Sequence, residues 1–125
     1  MKLNIRIAES FESVKVRSLD AARKIDAGQE IEPLCEIGID SLPQFLDVFT
    51  PKRWELIAML RDAGPVTIYA LAKRLKRHYR NVYKDVAKLR EWMVIEKDES
   101  GRVFVPWDEI DLYLPLKSPT ANQAA

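Results

Sequence analysis

The sequence is poor in the residues that build metal sites, disulfides and nucleotide-binding loops. Its 125 residues include one cysteine, one histidine and four glycines. Cys35 and His78 cannot form a Cys/His zinc site between them, and a single cysteine cannot form an internal disulfide. No GxxxxGK[ST], HExxH or GxSxG motif is present, although phosphate loops, zinc proteases and serine hydrolases depend on them. We therefore expect no metal, no cofactor and no enzymatic activity.

Long apolar runs are also missing. No stretch approaches the ~18 consecutive apolar residues of a membrane span, and charges interrupt the N-terminal residues where a signal peptide would be apolar. The 47% of hydrophobic residues is enough for a folded core, and the length is that of one domain. These features predict a cytoplasmic protein with no membrane partner, and a single cysteine fits a reducing compartment. Cys35 itself is expected to be a small buried hydrophobe.

The charge is small in total but unevenly spread. Twenty basic and nineteen acidic residues give a net charge of +1. Residues 1–49 carry a net charge of −3, residues 50–95 carry +7, and residues 96–125 carry −3. A basic segment between acidic ends is typical of a protein that binds a polyanion, although a solvated helical surface would give the same pattern.

Three helices are predicted in the basic segment. Thr50-Pro51 is an N-cap followed by proline at the first helical position, and Gly64-Pro65 ends that helix. Thr67 can cap a short second helix. A third helix is predicted over residues 78–92. Apolar residues at helical spacing predict the buried faces of these helices: Trp54, Ile57, Leu60, Ile68, Leu71, Ala72, Leu75, Tyr79, Val82, Val86, Leu89 and Met93.

The exposed side of the third helix predicts contacts with DNA. Arginine and lysine can reach guanine edges or phosphates, and asparagine can pair with adenine. We therefore expect base contacts from Arg80, Asn81 and Lys84. The side chains expected at the DNA backbone lie around them: Lys73, Arg77, His78, Tyr83, Lys88 and Arg102. For His78 a helix-capping role is an alternative, and Tyr83 could instead pack on the flank of the helix.

A β-hairpin is predicted after the third helix. Residues 94–97 and 102–105 have extended apolar patterns, and Asp98-Glu99-Ser100-Gly101 is a turn cluster between them. Three helices followed by a hairpin are the order of a winged helix-turn-helix, in which the third helix enters the major groove and the hairpin contacts the backbone or minor groove. The acidic pair Asp98 and Glu99 argues against deep insertion of the hairpin.

Residues 50–110 also resemble a known family. The most specific parts are Thr-Pro-Lys-Arg-Trp from Thr50, Leu-Ala-Lys-Arg-Leu from Leu71, Tyr-Arg-Asn-Val-Tyr-Lys-Asp-Val from Tyr79, and Val-Pro-Trp-Asp-Glu-Ile from Val105. They are similar to the small archaeal and bacterial winged helix-turn-helix DNA-binding regulators related to the MarR family. The resemblance implies a dimeric, sequence-specific DNA-binding protein, and some relatives are thought to act as antitoxins that repress their own operon. One departure is Lys76, at a turn position usually held by glycine.

The ends of the chain predict a small sheet. Residues 1–49 have a β-α-β-α pattern, in which Ser10 caps a helix whose Phe11, Val14, Leu19, Ala22 and Ile25 lie roughly on one face. Residues 107–116 alternate as a C-terminal strand, and residues 117–125 are expected to be a mobile tail. Since isolated strands are marginal, we expect the terminal strands to join one sheet, within the chain or across a homodimer, and that sheet to be the dimer interface. The predicted fold class is α+β, with a winged helix-turn-helix over residues 50–106.

Two functions are consistent with the sequence. The first is a transcriptional regulator, expected to be a repressor, that binds double-stranded DNA as a homodimer. The alternative is an antitoxin-like interaction module that neutralises a toxin-like protein partner through residues 1–49.

Overall fold

The computed structural model describes residues 1–30 and 35–116 and has an α+β fold. Its helices and strands in chain order are β1 (Lys2–Ile7), α1 (Phe11–Asp26), β2 (Cys35–Ile39), α2 (Leu42–Val48), α3 (Pro51–Ala63), α4 (Ile68–Leu75), α5 (Tyr79–Glu91), β3 (Glu96–Lys97), β4 (Val103–Phe104) and β5 (Glu109–Tyr113). The chain forms two compact units. The helical unit contains residues 45–109 and Met1, and the sheet unit contains the described residues between 2 and 44 and between 110 and 116.

Capping residues set the helix boundaries in the helical unit. The side chain of Thr50 accepts a hydrogen bond from the amide of Arg53, and that of Thr67 accepts one from Ala70. Each satisfies an amide that has no partner within its own helix. The α3 helix ends at Gly64, whose φ of +72° suits a residue without a Cβ. The predicted starts of α3 and α4 and the end of α3 are confirmed.

The core of the helical unit is apolar. Its buried side chains come from all four helices, from the hairpin and from the segments beside them: Phe45, Val48, Phe49, Leu56, Ile57, Leu60, Leu71, Ala72, Val82, Val86, Leu89, Val94, Ile95, Val103, Val105 and Trp107. The prediction was wrong for Tyr79 and Met93, which are 46% and 54% exposed. Met93 has left the helix and has a φ of +65°, so its side chain no longer follows the helical spacing.

A parallel pair of strands forms the centre of the sheet unit. Strand β1 pairs in parallel with β2, with Ile5 beside Ile37 and Ile7 beside Ile39. Strand β5 completes a three-stranded sheet in the order β2-β1-β5. The terminal strands therefore join one sheet within the chain. This is one of the two arrangements predicted from the sequence, the other being a sheet across a homodimer. The predicted tail over residues 117–125 lies outside the described residues.

The two faces of this sheet differ in character. Alternate side chains of β1 and β2 are buried, namely Leu3, Ile5, Ile7, Ile37 and Ile39. Since side chains alternate along a strand, Arg6 and Glu36 lie on the opposite, more polar face. The prediction of a buried Cys35 was wrong: this residue is exposed at the first position of β2.

Helix α1 is held to the polar face of the sheet by charge. Arg17 donates to Glu36 over 2.8 Å and to Glu9 over 2.8 Å, and Glu9 also accepts hydrogen bonds from Ser13 and Arg6. The Arg17 guanidinium, followed by Arg6 and Ser13, lowers the pKa of Glu9 to about 2, against the effect of burial. The hydrogen bond to Glu9 raises the pKa of Arg17. The contact between α1 and the sheet therefore consists of ion pairs, where a helix usually packs on a sheet through apolar side chains.

The apolar side of α1 is exposed in the described part of the chain. Ser10 caps the helix as predicted, through its side chain and the amide of Ser13. None of the residues of α1 is buried, and Phe11 is 81% exposed. The apolar residues share a side of the helix, but no described part of the chain covers that side.

A membrane-crossing helix would need more length and apolar character than any helix in the described part of the chain possesses.

Candidate functional site

The candidate site is built on α4, α5 and the turn between them. In α4, Leu71 and Ala72 are buried. The helix ends at Lys76, which has the left-handed backbone angles φ 55° and ψ 42°. The amide of Arg77 then donates to the carbonyl of Ala72 over 3.1 Å. This turn satisfies a carbonyl at the end of α4 and redirects the chain into α5.

His78 caps the N-terminus of α5. Its Nδ1 accepts a hydrogen bond from the amide of Arg80 at 3.2 Å. With Nδ1 accepting this hydrogen bond, Nε2 is the ring nitrogen that can donate to another group. The capping alternative for His78 is confirmed, and the exposed ring leaves Nε2 free to donate.

The residues predicted to contact bases lie on the exposed side of α5. The core side consists of Val82, Val86 and Leu89. Arg80 and Lys84 are one helical turn apart on the opposite side, and both are exposed. The remaining predicted contacts of α5 flank that pair, with Asn81 and Lys88 on one flank and Tyr83 on the other.

The only acid of α5 before its last residue is withdrawn from this surface. Asp85 has a side chain that is only 13% exposed. Its Oδ1 accepts from Arg53 Nε at 3.0 Å, and its Oδ2 accepts from Arg77 Nη2 at 2.6 Å. Arg53 also donates to the carbonyl of Val48 over 2.8 Å. The three side chains tie α3, α5 and the turn after α4 together.

This arrangement corrects the role predicted for Arg77. Its side chain is 18% exposed and its guanidinium is bound to Asp85, so it is not placed to contact a phosphate. The sequence did not predict this cluster, because Arg53 lies 32 positions and Arg77 eight positions from Asp85, and no local pattern connects the three residues. Residues 67–90 contain eight basic residues and one acid, and that acid is Asp85. The exposed surface of this segment therefore carries cations without carboxylates.

Three exposed tyrosines form a row beside the cations. Tyr79 lies 6.5 Å from Tyr69 and 6.1 Å from Tyr83, measured between ring centroids. The Lys73 ammonium lies 4.7 Å from the centroid of the Tyr69 ring. Tyr79 thus lies on the surface and not in the core, and Tyr69 is a further residue of this row that the sequence did not predict. Phenolic hydroxyls and rings of this kind can donate to phosphates or stack with cations.

The hairpin carries one further exposed cation. Strands β3 and β4 are antiparallel, with Lys97 beside Val103, and an additional bridge pairs Val66 with Val103. The hairpin predicted after the third helix is confirmed, although its paired strands are shorter than expected. Arg102 is exposed next to its tip.

Asp98 shapes the tip of the hairpin. Its Oδ1 accepts hydrogen bonds from the amide and the hydroxyl of Ser100 and from the amide of Arg102, at 3.0, 2.8 and 2.9 Å. These hydrogen bonds, that of the Ser100 hydroxyl above all, lower the pKa of Asp98. Gly101 follows with a φ of +85°. Asp98 therefore acts as a turn-forming residue, for which the Asp-Glu-Ser-Gly cluster was the sequence signal.

The cations of the site differ in their partners. Across residues 1–30 and 35–116, Arg80, Lys84 and Arg102 form no ion pair, whereas Lys88 lies 3.5 Å from Glu91. An exposed ion pair of this length contributes little to stability, so Lys88 can readily exchange Glu91 for a stronger anion. The same described ranges contain no group of three acidic, cysteine or histidine residues that could hold a metal ion.

Comparison with known proteins places the chain in a family. The model of the HVO_A0114 family matches residues 48–112, which is more than half of the 125 residues. The chain belongs to the HVO_A0114 family. The match covers α3 to β4 with the whole candidate site, and most of β5, while α1 and the parallel strands lie outside it. No curated protein and no solved structure matches the chain.

Proposed function

We propose that residues 50–106 form a winged helix-turn-helix domain that binds double-stranded DNA, and that the protein regulates transcription as a repressor. The element order supports this proposal, because α3, the Val66 bridge, α4, α5 and the β3–β4 hairpin follow one another as in that architecture. The predicted relation to MarR-like regulators is part of the same proposal.

The observation that carries the proposal is the surface of α5. Arg80 and Lys84 are exposed, unpaired within the described chain, and opposite the buried side of the helix. An α-helix fits the major groove, where a guanidinium or ammonium can bind guanine and an asparagine can bind adenine. In this proposal Arg80, Asn81 and Lys84 contact bases.

The surrounding cations would hold the phosphates. In this proposal Lys73, Lys88 and Arg102 have this role around α5, with the hydroxyl of Tyr83 and Nε2 of His78 as further donors. Arg77 has a different role here, because it fixes the turn before α5 through Asp85. The acids Asp98 and Glu99 at the hairpin tip favour a shallow contact with the backbone. Such a regulator acts where the chromosome is, in the cytoplasm.

A salt titration tests the proposal. Binding of the purified protein to its own upstream DNA is measured by fluorescence anisotropy between about 50 and 200 mM salt. Each neutralised phosphate contributes about −0.9 to the slope of log affinity against log salt. We expect a steep slope that Lys73→Ala reduces by about one unit. A flat dependence on salt would overturn the proposal.

Two arginine variants of equal charge sharpen the test. Arg80→Ala should weaken binding to the preferred sequence by ~1–3 kcal/mol and relax base preference, as the loss of a base contact does. Arg61→Ala is the control, because Arg61 belongs to the same unit and its guanidinium is already bound to Asp108 over 2.6 Å. Equal losses in the two variants would mean that only the total charge matters, and the assignment of Arg80 as a base contact would be wrong.

A further inference from the structure

Two of the three tyrosines in the row beside α5 have no role in the contacts proposed so far. Tyr69, Tyr79 and Tyr83 are 59%, 46% and 52% exposed. None of their hydroxyls has a hydrogen-bond partner within residues 1–30 and 35–116. Because a phenolic hydroxyl can donate a hydrogen bond, the row presents to solvent three donors that a ligand can use.

The three rings hold one another in place. The ring of Tyr79 is inclined by 49° to that of Tyr69 and by 35° to that of Tyr83, at centroid separations of 6.5 and 6.1 Å. These are the separations of favourable aromatic pairs. Since each ring restricts the rotation of its neighbour, the hydroxyls are ordered before a ligand arrives, and less side-chain entropy is lost on binding.

Cations border the row at both ends. The Lys73 ammonium lies over the ring of Tyr69. Arg90 follows Tyr83 by seven positions, or about two helical turns, which places it on the same flank of α5. It is exposed and forms no ion pair within the described part of the chain. The single acid between the start of α4 and Arg90 is Asp85, which is bound by two arginines. The charges around the row therefore favour an anion.

The spacing of the row matches the backbone of one DNA strand. Successive phosphates of a strand are separated by about 3.4 Å along the axis, and the strand completes a turn in about 10.5 base pairs, so neighbouring phosphates are roughly 6–7 Å apart. The ring centroids recur at 6.1 and 6.5 Å. Stacked bases of a duplex recur at only about 3.4 Å, so the row has the repeat of the phosphates and not that of the bases.

We infer that the tyrosine row binds three successive phosphates of one DNA strand through its hydroxyls, with Tyr69 and Tyr79 as contacts additional to Tyr83. This inference rests on the proposed function, because it requires Arg80 and Lys84 to face the bases while the row follows the adjacent backbone. It extends the DNA contact from α5 onto α4. It also assigns a stretch of backbone to neutral donors, which add affinity without releasing counterions.

Removing single hydroxyls tests the inference. Tyr69→Phe and Tyr79→Phe keep the rings and remove only the donors, so the melting temperature should match that of the wild type. Each should weaken binding to duplex DNA by about tenfold, as the loss of one hydrogen bond to a charged group does. The loss should be equal on the upstream DNA and on a scrambled duplex, because phosphate contacts carry no sequence information.

The salt dependence separates these hydroxyls from the cations. Neither phenylalanine variant should change the slope of log affinity against log salt, whereas Lys73→Ala removes a charge and lowers it. Tyr113→Phe is the matched control, because Tyr113 is also an exposed tyrosine but belongs to the sheet unit. It should bind DNA with wild-type affinity. An equal loss in Tyr113→Phe would show that the effect is not specific to the row and would overturn the inference.

Removing a whole ring distinguishes hydrogen bonding from stacking. If Tyr69→Phe bound as the wild type did while Tyr69→Ala lost affinity, the ring would be the active part, as in stacking on the unpaired bases of a single strand, and the inference would be wrong. A wild type with steep salt dependence whose affinity Tyr69→Phe and Tyr79→Phe leave unchanged removes this inference alone. A wild type without salt-dependent binding removes the proposed function and this inference with it.

Uncharged phosphates locate the contacts. A methylphosphonate placed at one position of the upstream duplex removes the charge of a single phosphate, and double-mutant cycles with each tyrosine variant report which phosphate that tyrosine contacts. Tyr69→Phe and Tyr79→Phe should couple to neighbouring phosphates of the same strand, with that of Tyr79 between those of Tyr69 and Tyr83. Coupling to phosphates on opposite strands, or at positions that are not adjacent, would overturn the assignment.

Discussion

Arg77 donates to Asp85 over 2.6 Å, from Nη2 to Oδ2, and thereby fixes the turn after α4 to the middle of α5. Arg53 binds the other oxygen of the same carboxylate at 3.0 Å. All three side chains are less than 20% exposed. Arg77 Nη1 is buried without a hydrogen-bond partner in the described chain. Within the described residues Asp85 is therefore the one carboxylate that balances these two largely buried cations, and neither would have an anionic partner without it.

Replacing Asp85 by asparagine should destabilise the helical unit. The variant Asp85→Asn keeps the shape of the side chain but removes its charge and turns one acceptor into a donor. We expect a loss of about 3 kcal/mol in the free energy of unfolding, at the lower end of the cost of breaking a buried ion pair. Denaturant unfolding followed by tryptophan fluorescence measures it, since Trp54, Trp92 and Trp107 all lie in this unit.

The control for this prediction is the exposed pair of Lys88 and Glu91. Glu91→Gln also removes a carboxylate from α5, but its side chain is 66% exposed, so the change in unfolding free energy should stay within about 0.5 kcal/mol. Equal effects of Asp85→Asn and Glu91→Gln would show that Asp85 is an ordinary surface residue.

Local signals predicted the helices and the hairpin. The N-caps of α3, α4 and α5 are Thr50, Thr67 and His78, whose side chains accept a hydrogen bond from a backbone amide in the first turn of the helix. Residue types that can cap a helix in this way are recognisable in the sequence. The side chains of Arg80 and Lys84 were placed correctly as exposed because helical periodicity assigns them opposite Val82 and Val86. Such features depend on residues a few positions apart.

Features set by distant residues could not be predicted in the same way. Helical spacing shows that Phe11 and Ile25 share a side of α1, but it does not show whether the chain covers that side. Tyr79 was assigned to the core by spacing, yet it lies on the surface beside Tyr69 of another helix. Arg77 looked like a free cation because its partner, Asp85, is eight positions away, outside the reach of one turn.

Lys76 should be strained by its backbone. Its φ of 55° and ψ of 42° lie in the left-handed region, which is costly for a side chain with a Cβ. Lys76→Gly should raise the free energy of unfolding by about 0.5–1 kcal/mol, measured by denaturant titration. Lys76→Ala removes the same charge and keeps the Cβ, so it should give no such gain. A similar gain in both variants would attribute the effect to charge and not to the backbone.

Glu9 should make the sheet unit sensitive to acid. Its pKa is lowered from the ordinary 4.5 to about 2, so the folded state favours the carboxylate. This contribution to stability is fully present above about pH 5 and is lost as the pH falls through 2. Glu9→Gln should therefore cost about 2–3 kcal/mol at neutral pH, and the difference from wild type should shrink between pH 5 and 2.

Urea unfolding at a series of pH values, followed by far-UV circular dichroism, measures this difference. Glu12→Gln is the control, because Glu12 is exposed on the same helix and forms no ion pair within the described residues. Its difference from wild type should be small and should not vary over the same range. A constant offset for Glu9→Gln at every pH would mean that the loss of packing, and not the carboxylate charge, weakens the unit.

Two substitutions of Asp98 can distinguish the effect of the shape of the hairpin tip on DNA binding from the effect of its charge. Its Oδ1 organises the turn through Ser100 and the amide of Arg102, yet its negative charge lies where the proposed function places a phosphate. Asp98→Asn keeps an oxygen acceptor and removes the charge, so affinity for DNA should rise by about threefold at low salt. Asp98→Ala removes the charge and the acceptor together, so the tip loosens around Arg102 and the gain should be lost.

Glu99→Gln completes the comparison, because Glu99 is the other acid of the tip and is exposed. Within the described chain it forms no hydrogen bond that shapes the turn, so its replacement changes charge alone and should raise affinity as Asp98→Asn does. Anisotropy titrations at two salt concentrations should show that both gains shrink as salt screens the phosphates. If all three variants bound DNA with wild-type affinity at low salt, the hairpin would lie away from the nucleic acid, and Arg102 would have to be removed from the proposed contacts.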